Sequence, residues 1–554
     1  MERITSLQAT DNGELDGSKI EQATLEAPRR VLVNYKDGRG EMSMIPPMYV
    51  ENETVFLRGV SQLSSSLRKE IDDTLSMYDV DSHYKNGPVD TLSFPSRING
   101  KGPNLAAIFG KLLSYESPKN KKERLLTRKS DIDLSTSINF EDIDERATNF
   151  ARSLQVNFDE VLSVLTRYET HEVASDEIER TLDLMLNLKE NAQYFEREIG
   201  PVAAFLPRNQ PLYALACFAL TPSLMASEVH VRAPEAMTKD DFFSDLSSAI
   251  ELHKHFPNVQ VSYEQKNEFV EKHSRLEEGS GLPITDVVIF TGSSTNADAL
   301  REKFNKEVLF ILNGAGHNPI VVTESANLDA VVDAALRVQL YNQGEDCASP
   351  NSILVHERIY DEFIDKLKSG LRDVKVGSYD DPEVRVGPIH SPKDLMELQK
   401  FILQNNKWLD PEFGGEVDLK TLLIKPTIIT KPLSEGGNYE EAFGPVFCIQ
   451  KYGEDAELET YFNNPNYDRN AMYLTLWGDS NYVDNFIQTS DQHDETTLVK
   501  NTHLHAKGVE RGVNPYGGFG REASNITISG SFKSKPTLPQ RDIYEILVKP
   551  KLNQ

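Results

Sequence analysis

Two periods of apolar residues divide the chain near residue 200. From about 140 to 197, "DIDERATNFARSLQVNFDEVLSVLTRYE" and "SDEIERTLDLMLNLKENAQYFEREI" carry apolar residues at three- and four-residue spacing, the period of one buried helix face. After Gly200 short apolar runs take over: "PVAAFLP", "EVHVRAP", "VQVSYE", "DVVIFTG", "VLFILNG", "NPIVVTE" and "SILVHE", each followed by a helix-like stretch. Such alternation predicts βαβ units and a parallel sheet covered by helices. Before residue 110, "RRVLVNY" and "ETVFLRGV" read as strands among turn residues, and "SPKNKKERLLTRKSD" after it reads as an exposed basic connector. No internal repeat is visible.

Composition narrows the class. The chain has 554 residues, 39% hydrophobic and 26% charged, with a formal charge of −27. That is room for several domains and a substantial core, and the negative charge disfavours nucleic acid as a partner. The first 27 residues are polar, without an apolar signal region, and no run reaches the roughly 18 apolar residues of a membrane span. Three separated cysteines form neither a disulfide framework nor a zinc motif. A cytoplasmic protein is the expectation. "HKH" and "HLH" lack acidic or cysteine neighbours at ligand spacing, so no metal is expected.

One cysteine is out of place for a structural thiol. Cys217 sits in the apolar run "YALACFAL", but Cys347 lies in "LYNQGEDCASPNSILVHE", flanked by Gly344, Glu345 and Asp346. It is either an accidental loop residue or a nucleophile held up for use. A second candidate is "VVIFTGSSTNADALREKF", an apolar strand leading through Gly292 and Ser293 into a helix. Helix N-termini of that kind favour anions, although the same turn is more often plain architecture.

The order of motifs is more specific than any one of them. "FLPRNQP", "FTGSS", "ILNGAGHNPIVV", "YNQGEDC", "VGP", "KPTII", "EEAFGPVF" and "NPYGGFGRE" follow one another between residues 205 and 522. In this the chain resembles the aldehyde dehydrogenase superfamily over roughly residues 140 to 540. The resemblance implies an α/β fold, with a Rossmann-type cofactor domain and an α/β catalytic domain. The expected limits are a disordered tail (1–27), an N-terminal extension (28–135), an NAD(P)-binding domain (136–315), a catalytic domain (316–505) and a C-terminal segment (506–554). That last segment returns to the cofactor domain or a subunit interface, and "DIYEILVKP" within it is expected to supply an edge strand.

By the same resemblance Cys347 falls on the family's nucleophile, which attacks an aldehyde carbonyl as thiolate. Asn209 falls on the amide that holds the resulting oxyanion. Gly292 and Ser293 fall on the cofactor turn, Glu441 on the carboxylate that binds the nicotinamide ribose, and Phe443 on the phenylalanine stacked beside it.

Three departures stand out. Asn313 occupies the position of the family's general-base glutamate, and an amide cannot accept a proton at neutral pH; His317 and Glu345 are the nearby groups that could substitute. Ala233 and Ala236 replace the lysine and glutamate that bind the adenosine ribose, with Arg232 beside them, and Ala297 stands where a glycine is usual. The lost acidic residue and Arg232 tilt the cofactor expectation mildly from NAD toward NADP, and Ala297 implies a modified or weaker cofactor pose. Finally, "NAQYFEREIGPVAAFLPRN" has no room for the family's oligomerisation hairpin, so a homodimer or monomer is expected rather than a tetramer. Three readings follow in order: an aldehyde dehydrogenase acting on a small-molecule aldehyde; an enzyme that passes the acyl group to coenzyme A or reduces an acyl thioester with NADPH; and a non-catalytic binding member.

Overall fold

The computed structural model describes Leu126, Arg128 and residues 130–552 apart from Lys239, together with eight short strands between Glu2 and Pro95. The chain forms two compact units, residues 1–124 and 125–554. In the first, the two apolar runs are strands, at Arg29–Asn34 and Thr54–Arg58. The expected disordered tail lies outside the described residues, apart from strands Glu2–Ile4 and Ala23–Leu25.

The second unit opens with the helices that the three- and four-residue spacing predicts: α1 (Phe140–Val156), α2 (Phe158–Leu165) and α3 (His171–Leu186). Asn139 starts α1 by accepting a hydrogen bond from the Glu141 N–H, and Thr170 starts α3 by accepting one from Val173, as helix N-caps do. The face of α1 bearing Ile143, Ala147, Phe150, Ala151 and Leu154 is buried, the stripe expected of a surface helix on a core.

The strands that follow are β1 (Val202–Phe205), β2 (Val229–Arg232), β3 (Val259–Ser262), β4 (Val287–Thr291), β5 (Leu309–Asn313), β6 (Ile320–Val322), β7 (Ile353–His356), β8 (Leu409–Gly414), β9 (Thr427–Ile429), β10 (Val446–Tyr452), β11 (Leu474–Trp477), β12 (Leu498–Lys500), β13 (Ser524–Ile528) and β14 (Ser531–Ser534). They make two seven-stranded sheets, ordered β3-β2-β1-β4-β5-β13-β14 and β8-β9-β10-β7-β6-β11-β12. Strands β3 to β5 of the first sheet are mutually parallel, and β13 joins β5 antiparallel. β1 and β5 are buried throughout, which is why they read as unbroken apolar runs. β2 alternates instead: Val229 and Val231 face the core shared with α1 and α3, while His230 and Arg232 are half-buried on the other face.

Chain order changes direction at β1, with β2 and β3 on one side and β4 and β5 on the other. Ligands of open α/β sheets bind beyond the C-terminal strand ends at such a switch point. Residues Arg232, Phe205, Phe290 and Leu312 lie in one register row there. β5 ends at Asn313 and β6 begins at Ile320, so six residues carry the chain between sheets. The C-terminal strand ends of the first sheet thus meet the N-terminal strand ends of the second.

Two expectations are corrected. "DIYEILVKP" is helical, with turns at Pro539–Ile543, Tyr544–Val548 and Lys549–Leu552. Ile543, Ile546 and Leu547 all enter the core around α1, a helical spacing that makes no strand. The basic connector is also not exposed throughout. Arg128 is buried and paired with Asp286, whose other oxygen accepts the Gly200 N–H at 2.7 Å; a buried carboxylate needs that partner.

Between Tyr194 and Val202 there are only the isolated bridges Ser137–Arg197 and Ile199–Ala226, so no hairpin is inserted there. Among the described residues no helix is long and apolar enough to cross a membrane.

Candidate active site

The cysteine turn is built by close packing. After α4 (Leu328–Leu340) the chain turns through Asn342 and Gln343, both left-handed, and Gly344 at φ +78°. A Cβ on Gly344 would lie 2.2 Å from the Gly444 carbonyl oxygen, so this position needs glycine for both its φ and its neighbour. The contact presses the turn carrying Cys347 against the turn carrying Glu441 and Phe443. Phe443 is itself held at φ 48°, a conformation costly for a residue with a side chain.

Cys347 is half-buried. Its sulfur lies 2.7 Å from the Tyr516 hydroxyl and 3.8 Å from Oδ1 of Asp346. Oδ2 of Asp346 is 3.0 Å from Nε2 of the buried His505. Burial, and then the Asp346 carboxylate, push the thiol well above its ordinary value, while the Tyr516 hydrogen bond works in the opposite direction. The Cys347 carbonyl is fixed by the Asn318 amide at 2.8 Å. Among the described residues the Cys347 N–H donates to no protein acceptor, which leaves a backbone donor free at the nucleophile.

Asn209 lies in the turn after β1 and is half-buried, without a hydrogen bond to Cys347. The turn itself is held by two fully buried carboxyl groups. Glu169 accepts the Gln210 N–H at 3.0 Å, and Glu177 of α3 accepts those of Leu212 and Tyr213, each at 2.9 Å. Burial raises Glu177 to about 7; burial and the Glu177 charge raise Glu169 well above its usual range. Oε2 of Glu169 and Oε1 of Glu177 are buried without a partner, and two like charges so close resist ionising together.

Asn313 is buried at the end of β5. Its Oδ1 accepts from the Thr537 hydroxyl at 2.5 Å, and its Nδ2 is buried without a partner. Neither candidate substitute base addresses the thiol. Glu345, fully buried, is bound by Arg208 at 3.4 Å, by Gln343 at 3.1 Å and by the His390 ring and N–H. His317 is pushed down to about 4 by burial, with its ring stacked 6.2 Å from that of Tyr467.

The other cofactor candidates lie at the strand ends of the first sheet. Gly292, at φ +148°, donates its N–H to the Asn313 carbonyl at 2.9 Å. Ser293 caps the helix Ser294–Arg301. Ala297 lies inside that helix, fully buried, rather than in the turn. Arg232 donates to the Ala233 carbonyl at 3.1 Å and has no carboxylate partner among the described residues. It stands two strands from β4, about 10 Å across the sheet. Buried polar atoms without partners are Nε of Arg232, Oγ1 of Thr291 and Oε1 of Glu441. Burial, and then Asp346, raise Glu441 to about 8. A guanidinium at the end of β2, a hydroxyl at the end of β4 and a carboxyl on the turn packed against that of Cys347 fit a nicotinamide dinucleotide.

Several of these groups escaped the motif comparison. Tyr516 lies in "NPYGG", where the family has phenylalanine, so the signal was one changed letter in a matched motif. His505, in "HLH", reaches the thiol only through Asp346, and Asn318, in "HNP", only through the Cys347 carbonyl, so neither spacing signals a role beside the cysteine. A cavity of about 490 Å³ lined by His230, Gln260, Tyr263, Lys272 and His273 lies at the outer edge of the first sheet and includes none of the catalytic candidates.

A family model described as Aldehyde dehydrogenase family matches residues 151–525. The chain is 26% identical over 293 residues to 2-aminomuconic semialdehyde dehydrogenase of Mus musculus, covering 50% of this chain and 58% of that one. It is 24% identical over 337 residues to succinate-semialdehyde dehydrogenase [NADP(+)] of Deinococcus radiodurans, covering 59% and 67%. The chain therefore spans little more than half the length of the first of these relatives.

Among solved structures, succinic semialdehyde dehydrogenase from Streptococcus pyogenes in complex with NADP+ superposes with a TM-score of 0.60 at 16% identity, covering 74% of this chain and 90% of that one. The 1-pyrroline-5-carboxylate dehydrogenase from Thermus with bound NAD gives 0.58 at 16% identity, covering 73% and 80%. At that identity the likeness is one of fold. With the family model matching about two thirds of its length, the chain belongs to the aldehyde dehydrogenase family.

Proposed function

We propose that the chain oxidises a small-molecule aldehyde with NAD or NADP through a thiohemiacetal, and then an acyl thioester, on Cys347. The observation that carries this reading is the packing of Gly344 on Gly444, which brings the turn carrying Cys347 against the turn carrying Glu441 and its unpartnered oxygen. Cys347, once ionised, attacks the carbonyl carbon, and the carbonyl electron pair moves to oxygen. The free Cys347 N–H and the Asn209 amide are the donors for that oxyanion. Glu441, Phe443, Gly292, Ser293 and Arg232 would hold the dinucleotide, which accepts the hydride when bound. The unpaired Arg232 favours NADP, since a 2′-phosphate would supply its missing anion.

A second reading rests on Asn313. Its oxygen is occupied by Thr537 and its nitrogen cannot accept a proton, so no base stands at the family's position for hydrolysing the thioester. Transfer to a thiol such as coenzyme A, or the reverse reduction of an acyl thioester, fits that loss. A homodimer or monomer is the proposed state, given the missing hairpin.

Rapid mixing with an aldehyde panel and NAD or NADP, recorded at the absorbance of the reduced nicotinamide, tests both readings. A burst that stalls until coenzyme A is added supports acyl transfer, whereas steady turnover without thiol supports hydrolysis. No burst under any condition, or a burst that persists in Cys347→Ala, overturns the proposal.

A further inference from the structure

The residue closest to the Cys347 sulfur is the tyrosine of "NPYGG", and its position is fixed independently of the cysteine turn. Tyr516 is bridged through its backbone to Thr537, with N···O distances of 2.8 and 2.7 Å, and Thr537 is the residue bound to Asn313. Its ring packs edge-on against Tyr473 at 6.1 Å. The next residue, Gly517, donates to the Tyr473 hydroxyl at 3.3 Å. The phenol is therefore aimed at the sulfur by its own loop and has not merely swung toward it.

The other groups around the thiol all disfavour its ionisation. Asp346 lies 3.8 Å away, and Glu441 and Glu510 oppose ionisation further once they are themselves charged. The two nearby guanidiniums are spent elsewhere: Arg180 on Glu510, Arg208 on Asp394 and Glu345. Among the described residues no cation touches the sulfur. A thiol in this setting has one favourable neighbour, a hydroxyl at hydrogen-bond distance.

We infer that Tyr516 is a catalytic residue whose hydroxyl donates a hydrogen bond to the Cys347 thiolate, both when the sulfur attacks and when it leaves the acyl group. The inference rests on Cys347 being the nucleophile. The thiol proton passes to water, and the tyrosine keeps its own, since burial raises the phenol well above its usual range. On attack the C–S bond forms and the sulfur's charge passes to the carbonyl oxygen, so the hydrogen bond weakens. When water or a thiol later takes the acyl group, the C–S bond breaks and the electron pair returns to sulfur. Tyr516 then meets the leaving thiolate. This assists acyl release at a site whose base position holds an amide.

The test reads the thiol directly, without aldehyde or cofactor. The rate at which iodoacetamide alkylates Cys347 is followed from pH 6 to 11 by mass spectrometry of the Cys347 peptide, which separates it from Cys217 and Cys448. In Tyr516→Phe the ring and its packing remain, and the profile is expected to move up by about one pH unit, with roughly tenfold slower labelling at neutral pH. Replacing Tyr516 by a fluorotyrosine, a stronger donor, is expected to move it down.

Identical profiles for wild type and Tyr516→Phe would overturn the inference. Should Tyr516→Phe not fold, an unmoved profile in the fluorotyrosine protein would do the same. Failure of the proposed function has a different signature, a hydride burst that survives Cys347→Ala.

Discussion

The Thr537 hydroxyl donates to Oδ1 of Asn313 across 224 residues of sequence. The bond settles what the asparagine can do. Its one accepting atom is occupied, and its other polar atom is a donor buried without a partner. A glutamate at 313 could keep the Thr537 bond on one oxygen and present the other to water. Asn313→Glu is therefore expected to raise hydrolysis of the acyl thioester, on the order of a hundredfold for a restored base, and to lower transfer to coenzyme A. Nicotinamide reduction with and without thiol measures the partition. An unchanged partition would remove Asn313 from the account of acyl fate.

Arg232 has no carboxylate partner among the described residues and is the cation proposed for a 2′-phosphate. Arg232→Ala is expected to raise KM for NADP about tenfold, the loss of one charge-assisted contact, while KM for NAD stays within about twofold. Initial rates with each cofactor decide it, and an equal rise for both would assign Arg232 to general packing.

The Glu169–Glu177 pair makes stability depend on pH. Both carboxyls are raised in the folded chain, Glu177 to about 7. Above pH 4.5 the unfolded chain therefore holds fewer protons than the native one. The pair's contribution is fullest at acid pH and declines as pH rises from about 4.5 through 7 and beyond. Glu169→Gln keeps an acceptor for the Gln210 N–H and supplies a fixed proton to Glu177. Its Tm should accordingly fall less than that of wild type between pH 7 and 9. Parallel melting curves for the two proteins would show that the pair does not titrate there.

Removing one of these carboxyls acts differently. Glu177→Ala leaves the N–H groups of Leu212 and Tyr213 buried without acceptors, at about 1–3 kcal/mol, and loosens the turn that carries Asn209. Burst rate should fall at saturating aldehyde, and Glu177→Gln, which retains one acceptor, should recover part of it. Loss of Tm without any change in burst rate would limit Glu177 to a structural role.

Gly344→Ala tests the packing that joins nucleophile to cofactor wall. The added methyl meets the Gly444 carbonyl at 2.2 Å and forces φ +78° on an alanine, a strain of about 1–3 kcal/mol before any clash. The expected result is lost burst activity with the protein still folded by circular dichroism. Full activity would mean that this contact does not set the position of Cys347.

Much of this was legible in the chain because its signals are local. Buried parallel strands cannot hide their apolar runs, and a thiol between glycine and two acids stands out from core cysteines. The carboxyl pair was not legible, because Glu169 and Glu177 are eight residues apart and become partners only where α3 meets the turn after β1. The Tyr516 contact depends on a loop 169 residues downstream of Cys347. The C-terminal segment misled for another reason. "DIYEILVKP" is apolar and β-branched enough to pass for a strand, but its buried positions follow a helical period that only packing against α1 makes decisive.

The strand order carries a mechanical consequence. The chain crosses between the two sheets at residues 314–319 and again between β12 and β13. Asn313 stands at the mouth of the first crossing, Tyr516 lies on the second, and Thr537 couples the two. Any widening of the crevice to admit a dinucleotide has to flex both tethers together. Asn313 and Tyr516 are thus placed by the same pair of tethers, and a strain on one is felt at the other through Thr537.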